Sequence, residues 1–111
     1  MIIAVDFDGT LCDFAFPEIG NILPMHQKVI HFLQEQKQNG HSIILLTCRE
    51  DLPHRAYLTE AINWCKKNNI PIDFINENAN TFQEGLMQGF ARRKIHADLY
   101  IDDRAINPVN L

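Results

Sequence analysis

Val5-Asp6-Phe7-Asp8-Gly9-Thr10-Leu11 is the stretch from which we predict the fold. It follows a short apolar run, Met1 to Val5, so two carboxylates, a glycine and a hydroxyl come directly after residues typical of a buried strand. In open parallel sheets, ligands bind beyond the carboxyl ends of the strands. We therefore expect Asp6 and Asp8 to face a ligand at the end of the first strand.

The two carboxylates also indicate the kind of ligand. Placed one residue apart, they repel each other unless a cation or a shared proton relieves the repulsion. Mg²⁺ prefers oxygen ligands and commonly serves sites whose substrate is a phosphate. Gly9 allows turn conformations that other residues rarely adopt. These residues favour a magnesium site over the plainer interpretation, a strand followed by an acidic turn without chemistry.

The composition is typical of one globular domain spanning residues 1–111. Of the 111 residues, 46% are hydrophobic and 22% are charged, which suits a single compact unit. The formal net charge is −4, and four aspartates of the proposed site can account for it: Asp6, Asp8, Asp102 and Asp103. Nothing in this balance indicates a strongly basic nucleic-acid surface.

Cysteine usage and the apolar runs bear on the compartment. Cys12, Cys48 and Cys65 cannot all pair within one chain, and they show no Cys-x-x-Cys spacing. We interpret them as reduced, which predicts a cytoplasmic protein. No apolar run approaches the ~20 residues that cross a bilayer, so we expect no membrane span.

Strands alternate with helices along the rest of the chain. Further apolar runs predict strands at His41 to Leu46, Pro71 to Ile75 and Asp98 to Ile101. Helical spacing predicts a helix from Pro24 to Asn39, stopped by Gly40, a second from Pro53 to about Asn68, and a less regular one around Thr81 to Phe90. The alternation indicates a parallel sheet with right-handed crossovers. Residues 12–23 read as a loop or small flap over the crevice.

Polar residues suited to phosphate chemistry accompany three of these strands. They are Asp6 and Asp8 after the first strand, Thr47 after the second, Lys94 ahead of the fourth, and Asp102-Asp103 at its end. This ordered set resembles the four signatures of the haloacid dehalogenase (HAD) superfamily, the Asp-x-Asp-Gly-Thr phosphohydrolases. The resemblance spans nearly the whole chain.

The resemblance implies an α/β fold. We expect a HAD-like, Rossmannoid three-layer sandwich with a minimal parallel sheet in the order 3-2-1-4, which sets the first and fourth strands side by side and brings Asp6 close to Asp102. The intervals 12–23 and 76–93 are too short for an inserted domain, so we expect a capless protein. Because the chain stops at Leu111, we expect no fifth strand after the acidic pair.

The resemblance also implies a phosphatase that hydrolyses a phosphate monoester. Asp6 would be the nucleophile that forms an aspartyl-phosphate, and Asp8 the general acid and then the general base. Thr47 would bind a phosphate oxygen through its hydroxyl and backbone N–H. The alternative interpretation of Thr47 is a threonine that caps a helix. Lys94 would bind the substrate's phosphoryl group and neutralise its charge.

The cofactor implied by the same resemblance is Mg²⁺. Its expected ligands are Asp6, Asp8 through its backbone carbonyl, and Asp102. Asp103 would bind metal waters or orient Lys94, and the roles within the Asp102-Asp103 pair could be reversed.

Three further residue types carry less information. Arg49, two residues past Thr47, could bind a substrate phosphate or be a surface arginine. Trp64 lies at helical spacing, which favours packing over substrate stacking. His54 and His96 have no ligand spacing and are interpreted as structural or exposed.

The substrate itself is not fixed by these residues. We expect a phosphorylated small molecule, a sugar or a nucleotide, while an open site leaves room for a phosphorylated polynucleotide end or protein, and an oligomer is compatible with the sequence. A response-regulator receiver domain is the rival from another class, but its acidic pair belongs to the first strand and its phospho-accepting Asp to a middle one. A catalytically silent phosphate-binding module is the second rival.

Overall fold

The computed structural model describes residues 1–76 and 96–102, together with the backbone of one strand at Ile106–Pro108. This part of the chain has an α/β fold. Its strands are β1 (Ile2–Asp6), β2 (Ser42–Leu46), β3 (Asp51–Leu52), β4 (Arg55–Ala56), β5 (Phe74–Ile75), β6 (Leu99–Ile101) and β7 (Ile106–Pro108), and its helices are α1 (Pro24–Gln38) and α2 (Tyr57–Lys67).

The main sheet has the strand order β5-β2-β1-β6-β7. β1 lies between β2 and β6 and is parallel to both, with Val5 paired to Leu45 on one side and to Ile101 on the other. β5 is parallel to β2. Because neighbouring strands lie about 4.8 Å apart, the residues that follow β1, β2 and β6 emerge side by side at one edge of the sheet.

The apolar sequences of β1 and β2 fit their position in the sheet, where both faces of each strand are buried. The middle residues of β1 and β2 have no exposed surface: Ile3, Ala4, Val5, Ile43, Ile44 and Leu45. A continuous apolar run is typical of a parallel strand covered on both sides. The positions of the first two predicted strands are thereby confirmed.

Helix α1 agrees with the prediction. Pro24 occupies its first turn, where the missing N–H has no cost. The N–H of Leu23 donates to Nδ1 of the buried His26 at 2.9 Å, and Gly40 follows the helix with a φ of +88°. Val29, Ile30 and Leu33 are buried on the core side of the helix.

Our prediction started the second helix too early. Pro53 lies in the turn of the hairpin formed by β3 and β4, and α2 begins only at Tyr57. The Asp51 carboxylate accepts hydrogen bonds from the N–H and the hydroxyl of Thr59, at 2.8 and 2.6 Å, and so satisfies a donor in the first turn of α2. Asp51, in the first strand of the hairpin, thus caps a helix whose own N-cap residue, Ala56, makes no side-chain hydrogen bond.

The end of the sheet also differs from the prediction. β7 pairs antiparallel with β6, Ile101 being in register with Ile106, so our expectation of no fifth strand was wrong. The sheet is mixed rather than purely parallel. The predicted helix around Thr81 to Phe90 lies outside the described residues.

Within residues 1–76 and 96–102, neither helix combines the length and the apolar character that a bilayer span requires.

Candidate active site at the end of the central strand

Asp6 is the last residue of β1, in the middle of the main sheet. The N–H of Phe7 donates to its Oδ1 at 2.9 Å. The chain then turns at once, because the N–H groups of Thr10 and Leu11 both donate to the carbonyl of Phe7 at 3.0 Å. Gly9 supports this turn with a φ of +89°, a conformation that favours glycine.

Asp8 lies in that turn and is held by Arg49, which follows the carboxyl end of β2. Nε and Nη2 of Arg49 donate to the two carboxylate oxygens of Asp8 at 2.9 and 2.8 Å. The exposed fractions of the two side chains are 1% for Arg49 and 14% for Asp8. A two-point contact of this kind fixes the orientation of a carboxylate, and removing either partner would leave a charge uncompensated.

The remaining donors of Arg49 are also bonded to protein. Nη1 donates to the carbonyls of Pro17 and Tyr57 at 3.3 and 3.4 Å, and Nη2 donates to that of Glu18 at 3.0 Å. A substrate phosphate would have to displace one of these contacts to bind Arg49. The alternative of a surface arginine is wrong, and the geometry makes Arg49 the positioning residue of Asp8.

Residues 12–23, called the flap below, are tied down by a second arginine. Arg55 of the hairpin donates to both carboxylate oxygens of Glu18 at 3.1 Å and to both of Glu60 at 2.9 Å. These hydrogen bonds from Arg55 lower the pKa of Glu18 and the pKa of Glu60. The flap therefore contacts the hairpin and α2 through groups that lie at the surface.

Thr47, directly after β2, is placed at the same edge of the sheet as Asp6. Its N–H, which we expected to bind phosphate, donates instead to Oδ1 of Asn76 at 2.9 Å. Its Oγ1 accepts the N–H of Arg49 at 3.1 Å, and a hydroxyl that accepts one bond can still donate another. The hairpin of β3 and β4, and not a helix, comes next after Thr47, so the alternative interpretation as a helix-capping threonine was wrong.

Two cavities adjoin Asp6. The flap-side cavity has a volume of about 310 Å³ and is lined by Asp6, Asp8, Phe14, Phe16, Thr47, Cys48 and Arg49. The sheet-end cavity has a volume of about 370 Å³ and is lined by Ala4, Asp6, Leu46, Thr47, Cys48, Asn76, Tyr100, Ile101 and Asp102. Asp6, Thr47 and Cys48 border both of these cavities, so a ligand in either cavity would lie beside Asp6.

The oxygens near the sheet-end cavity suit a hard cation. Asp6 and Asp102 line this cavity together, at the ends of two paired strands. Asp8 lines the flap-side cavity instead, and its carboxylate is engaged by Arg49. Among residues 1–76 and 96–102 no cluster of three or more acidic, histidine or cysteine side chains is arranged for a metal. Two carboxylates nevertheless fit Mg²⁺, which keeps several waters among its ligands.

Several predicted residues lie elsewhere. Lys94 and Asp103 are outside the described residues, so their roles stay predictions. Trp64 packs edge-on against Phe7 with ring centroids 5.5 Å apart, which confirms the packing interpretation. His54 is exposed and its Nε2 contacts the hydroxyl of Tyr57 at 3.1 Å.

The three cysteines are free thiols in this structure. Cys12 and Cys65 are buried, and burial raises the pKa of Cys12 and raises the pKa of Cys65 to about 12. Neither thiol is therefore a nucleophile near neutral pH.

Sequence reasoning alone missed one contact and one residue of the site. The contact between Asp8 and Arg49 joins residues far apart in the chain, and no local pattern signals it. Asn76 was detectable in principle, because it follows a short apolar strand as Thr47 does, and its φ of +55° is a conformation in which Asn is enriched.

Comparisons with known proteins give one informative result. No family model and no curated protein matches the chain. A solved structure of a conserved protein from Bacteroides thetaiotaomicron is similar to it, with a TM-score of 0.72 and 37% sequence identity over 97% of this chain and 79% of the other. The description of that protein names no reaction or substrate.

Proposed function

The chain belongs to the same family as this conserved protein from Bacteroides thetaiotaomicron, and from its own site residues we propose that it is a Mg²⁺-dependent phosphatase. In this proposal it hydrolyses a phosphate monoester through an aspartyl-phosphate on Asp6. The observation that carries the proposal is the position of Asp6, at the end of the central strand and in the lining of both cavities.

We infer further that the fold is HAD-like, a Rossmannoid three-layer sandwich. Two observations support this finer assignment. The four parallel strands follow the order β5-β2-β1-β6, which corresponds to the 3-2-1-4 order of our expectation. The Asp-x-Asp-Gly-Thr motif also lies directly at the end of the central strand.

Two carboxylates carry the chemistry in this proposal. An oxygen of Asp6 attacks phosphorus, the bond from phosphorus to the leaving oxygen breaks, and that oxygen takes a proton from Asp8. A water then gives a proton to Asp8 and attacks phosphorus, which breaks the bond to Asp6 and releases phosphate. Asp8 is therefore ionised after the first step and protonated again after the second.

Arg49 and Thr47 support these steps. Arg49 fixes the Asp8 carboxylate through both oxygens, and each of those oxygens keeps a second lone pair for a proton. Thr47 lines both cavities, and its hydroxyl is the donor we assign to a phosphate oxygen. Lys94 is assigned the neutralisation of phosphoryl charge.

Mg²⁺ would be held by Asp6, the carbonyl of Asp8 and Asp102, with Asp103 assigned to its waters. When bound, it supplies positive charge that offsets the negative charge of the phosphoryl group.

The test is hydrolysis of p-nitrophenyl phosphate by the purified chain, with Mg²⁺ and with a chelator. We expect turnover that the chelator abolishes and added Mg²⁺ restores. Asp6→Asn should lower kcat by roughly 10⁴-fold or more, because it removes the nucleophile. Asp98→Asn is the matched control, since Asp98 accepts the N–H of Ile2 at the opposite end of the same strand pair. Unchanged turnover in Asp6→Asn would contradict the proposal.

One observation favours a second candidate, a silent phosphate-binding module. Both oxygens of Asp8 contact Arg49, and the N–H of Thr47 is taken by Asn76. Such a module would bind inorganic phosphate in a calorimetric titration but release no phosphate from any ester. A receiver-like domain would instead keep a lasting phosphoryl group on Asp6 without turnover.

A further inference from the structure

We propose that the alcohol part of the substrate is a flat aromatic group that lies against Phe14 and Phe16 in the flap-side cavity. This inference rests on the proposed phosphatase function and names the substrate class of the same site. It narrows the expectation of a sugar or a nucleotide to esters that carry an aromatic ring near the phosphate.

The first observation is the placement of two exposed aromatic rings. Phe14 is 68% exposed and Phe16 is 45% exposed. Single exposed apolar residues are common on protein surfaces. These two, however, line the same cavity as Asp6 and Thr47, so they border the space beside the proposed nucleophile.

The second observation is that Phe16 is held in place before any ligand binds. The Arg49 guanidinium carbon lies 4.8 Å from the centroid of the Phe16 ring, and the ring of Tyr57 lies 5.4 Å away at an angle of 36°. Arg49 is itself fixed by Asp8. A ring that is already positioned loses little conformational freedom when a ligand stacks on it.

The third observation concerns the polar groups of the flap-side cavity. Among its described lining residues, Asp6 and Asp8 are assigned to the chemistry, and the N–H donors of Arg49 are bonded to protein. Thr47 is assigned to phosphate, and the other lining side chains are two phenylalanines and a cysteine. The described side chains that remain in the lining offer a mainly apolar, aromatic surface, which favours a flat aromatic group over a ring rich in hydroxyls.

The size of the cavity agrees with a small ligand. A volume of about 310 Å³ is at the lower end of ligand pockets, which range from roughly 300 to 1,000 Å³. A single aromatic ring can be a simple aryl group or the base of a nucleotide, and the experiment separates these two sources.

The test compares benzyl phosphate with glucose 6-phosphate. In both, the phosphate is attached to a CH₂ group on a six-membered ring, so the leaving alcohols have similar reactivity. Stacking predicts a kcat/KM about tenfold higher for benzyl phosphate. Adenosine 5′-monophosphate is the third substrate, and a kcat/KM above that of benzyl phosphate would identify a nucleotide as the aromatic source.

A variant links this preference to the flap. Phe14→Ala should lower the ratio of the two kcat/KM values by about fivefold, because it removes one stacking surface, and Phe14→Tyr should restore the ratio. Met25→Ala is the control, since Met25 is 60% exposed and is not part of the lining of either cavity. The binding of benzylphosphonate, measured by calorimetry, should weaken in Phe14→Ala and stay unchanged in Met25→Ala.

The outcomes separate the two proposals. Equal kcat/KM values for the two esters, with hydrolysis still dependent on Asp6, would overturn the aromatic substrate and leave the phosphatase in place. The aromatic substrate would also be overturned if Phe14→Ala changed neither the ratio of the two kcat/KM values nor the affinity for benzylphosphonate. The absence of Asp6-dependent hydrolysis for every ester would overturn the phosphatase and this inference together.

Discussion

The two sides of the candidate site are built by different forces. On the strand-end side, parallel pairing delivers Asp6, Thr47 and Asp102 from neighbouring strands to one edge of the sheet. On the flap side, Asp8 depends on a buried ion pair with Arg49. Strand pairing places Asp6 and Asp102, whereas a long-range contact orients Asp8, so the two sides should respond differently to substitution.

On the flap side, the largest effect is expected for Asp8→Asn. It should lower kcat by about 10²–10⁴-fold, the usual contribution of a general acid and base. It should also destabilise the fold by about 3 kcal/mol, because Arg49 would stay buried without a carboxylate. Phosphate release and urea denaturation measure the two effects separately.

The same variant tests how Asp8 contacts the metal. If only its backbone carbonyl is a ligand, the folded Asp8→Asn protein should keep its affinity for Mg²⁺, measured by titration. Loss of Mg²⁺ binding in a protein that still folds would mean that the carboxylate is the ligand and that its assigned role is wrong.

A smaller effect is expected for Arg49→Lys. Lysine keeps the positive charge but cannot form the two-point contact with Asp8, so kcat should fall by about tenfold while KM changes less. Arg55→Lys is the matched control, because Arg55 also contacts the flap but lies away from Asp8. If the two substitutions lower kcat equally, kcat depends on the anchoring of the flap and not on the position of Asp8.

The smallest effect concerns pH and the exposed contacts of Arg55. Hydrogen bonds from Arg55 lower the pKa values of Glu18 and Glu60 below the ordinary 4.5. A carboxyl group whose pKa is lowered in the folded state stabilises the fold when the pH is above the pKa of the unfolded state. This stabilisation is lost as the pH falls through the pKa of the folded state. Arg55→Gln should therefore lower the urea midpoint slightly at neutral pH and leave it unchanged in acid. If the urea midpoints of Arg55→Gln and of the unsubstituted protein still differ in acid, Arg55 stabilises the fold through packing and not through these carboxylates.

The strand-end side was largely predictable from the sequence. The apolar runs before Asp6 and Thr47 predicted β1 and β2, since buried parallel strands are continuous in hydrophobicity. The run before Asp102 predicted β6 in the same way. Helix α1 was predicted because Pro24 and Gly40 mark its limits.

The flap side was not predictable, for physical reasons. Strands of two residues, such as β3 and β4, are too short to show a period, and Pro53 is as compatible with a turn as with a helix start. The partner of Asp8 is set by tertiary contact, so Arg49 appeared from the sequence as a substrate ligand or a surface residue. The pairing of β7 depends on the edge of β6 and has no local signal.

The most direct test of the central claim is to locate the phosphoryl group on the enzyme during turnover. Acid quenching of the reaction, followed by proteolysis and mass spectrometry, should show one phosphoryl group on the peptide that contains Asp6, and none in Asp6→Asn. A phosphoryl group on another residue, or hydrolysis that continues unchanged in Asp6→Asn without any phosphorylated enzyme, would contradict the account.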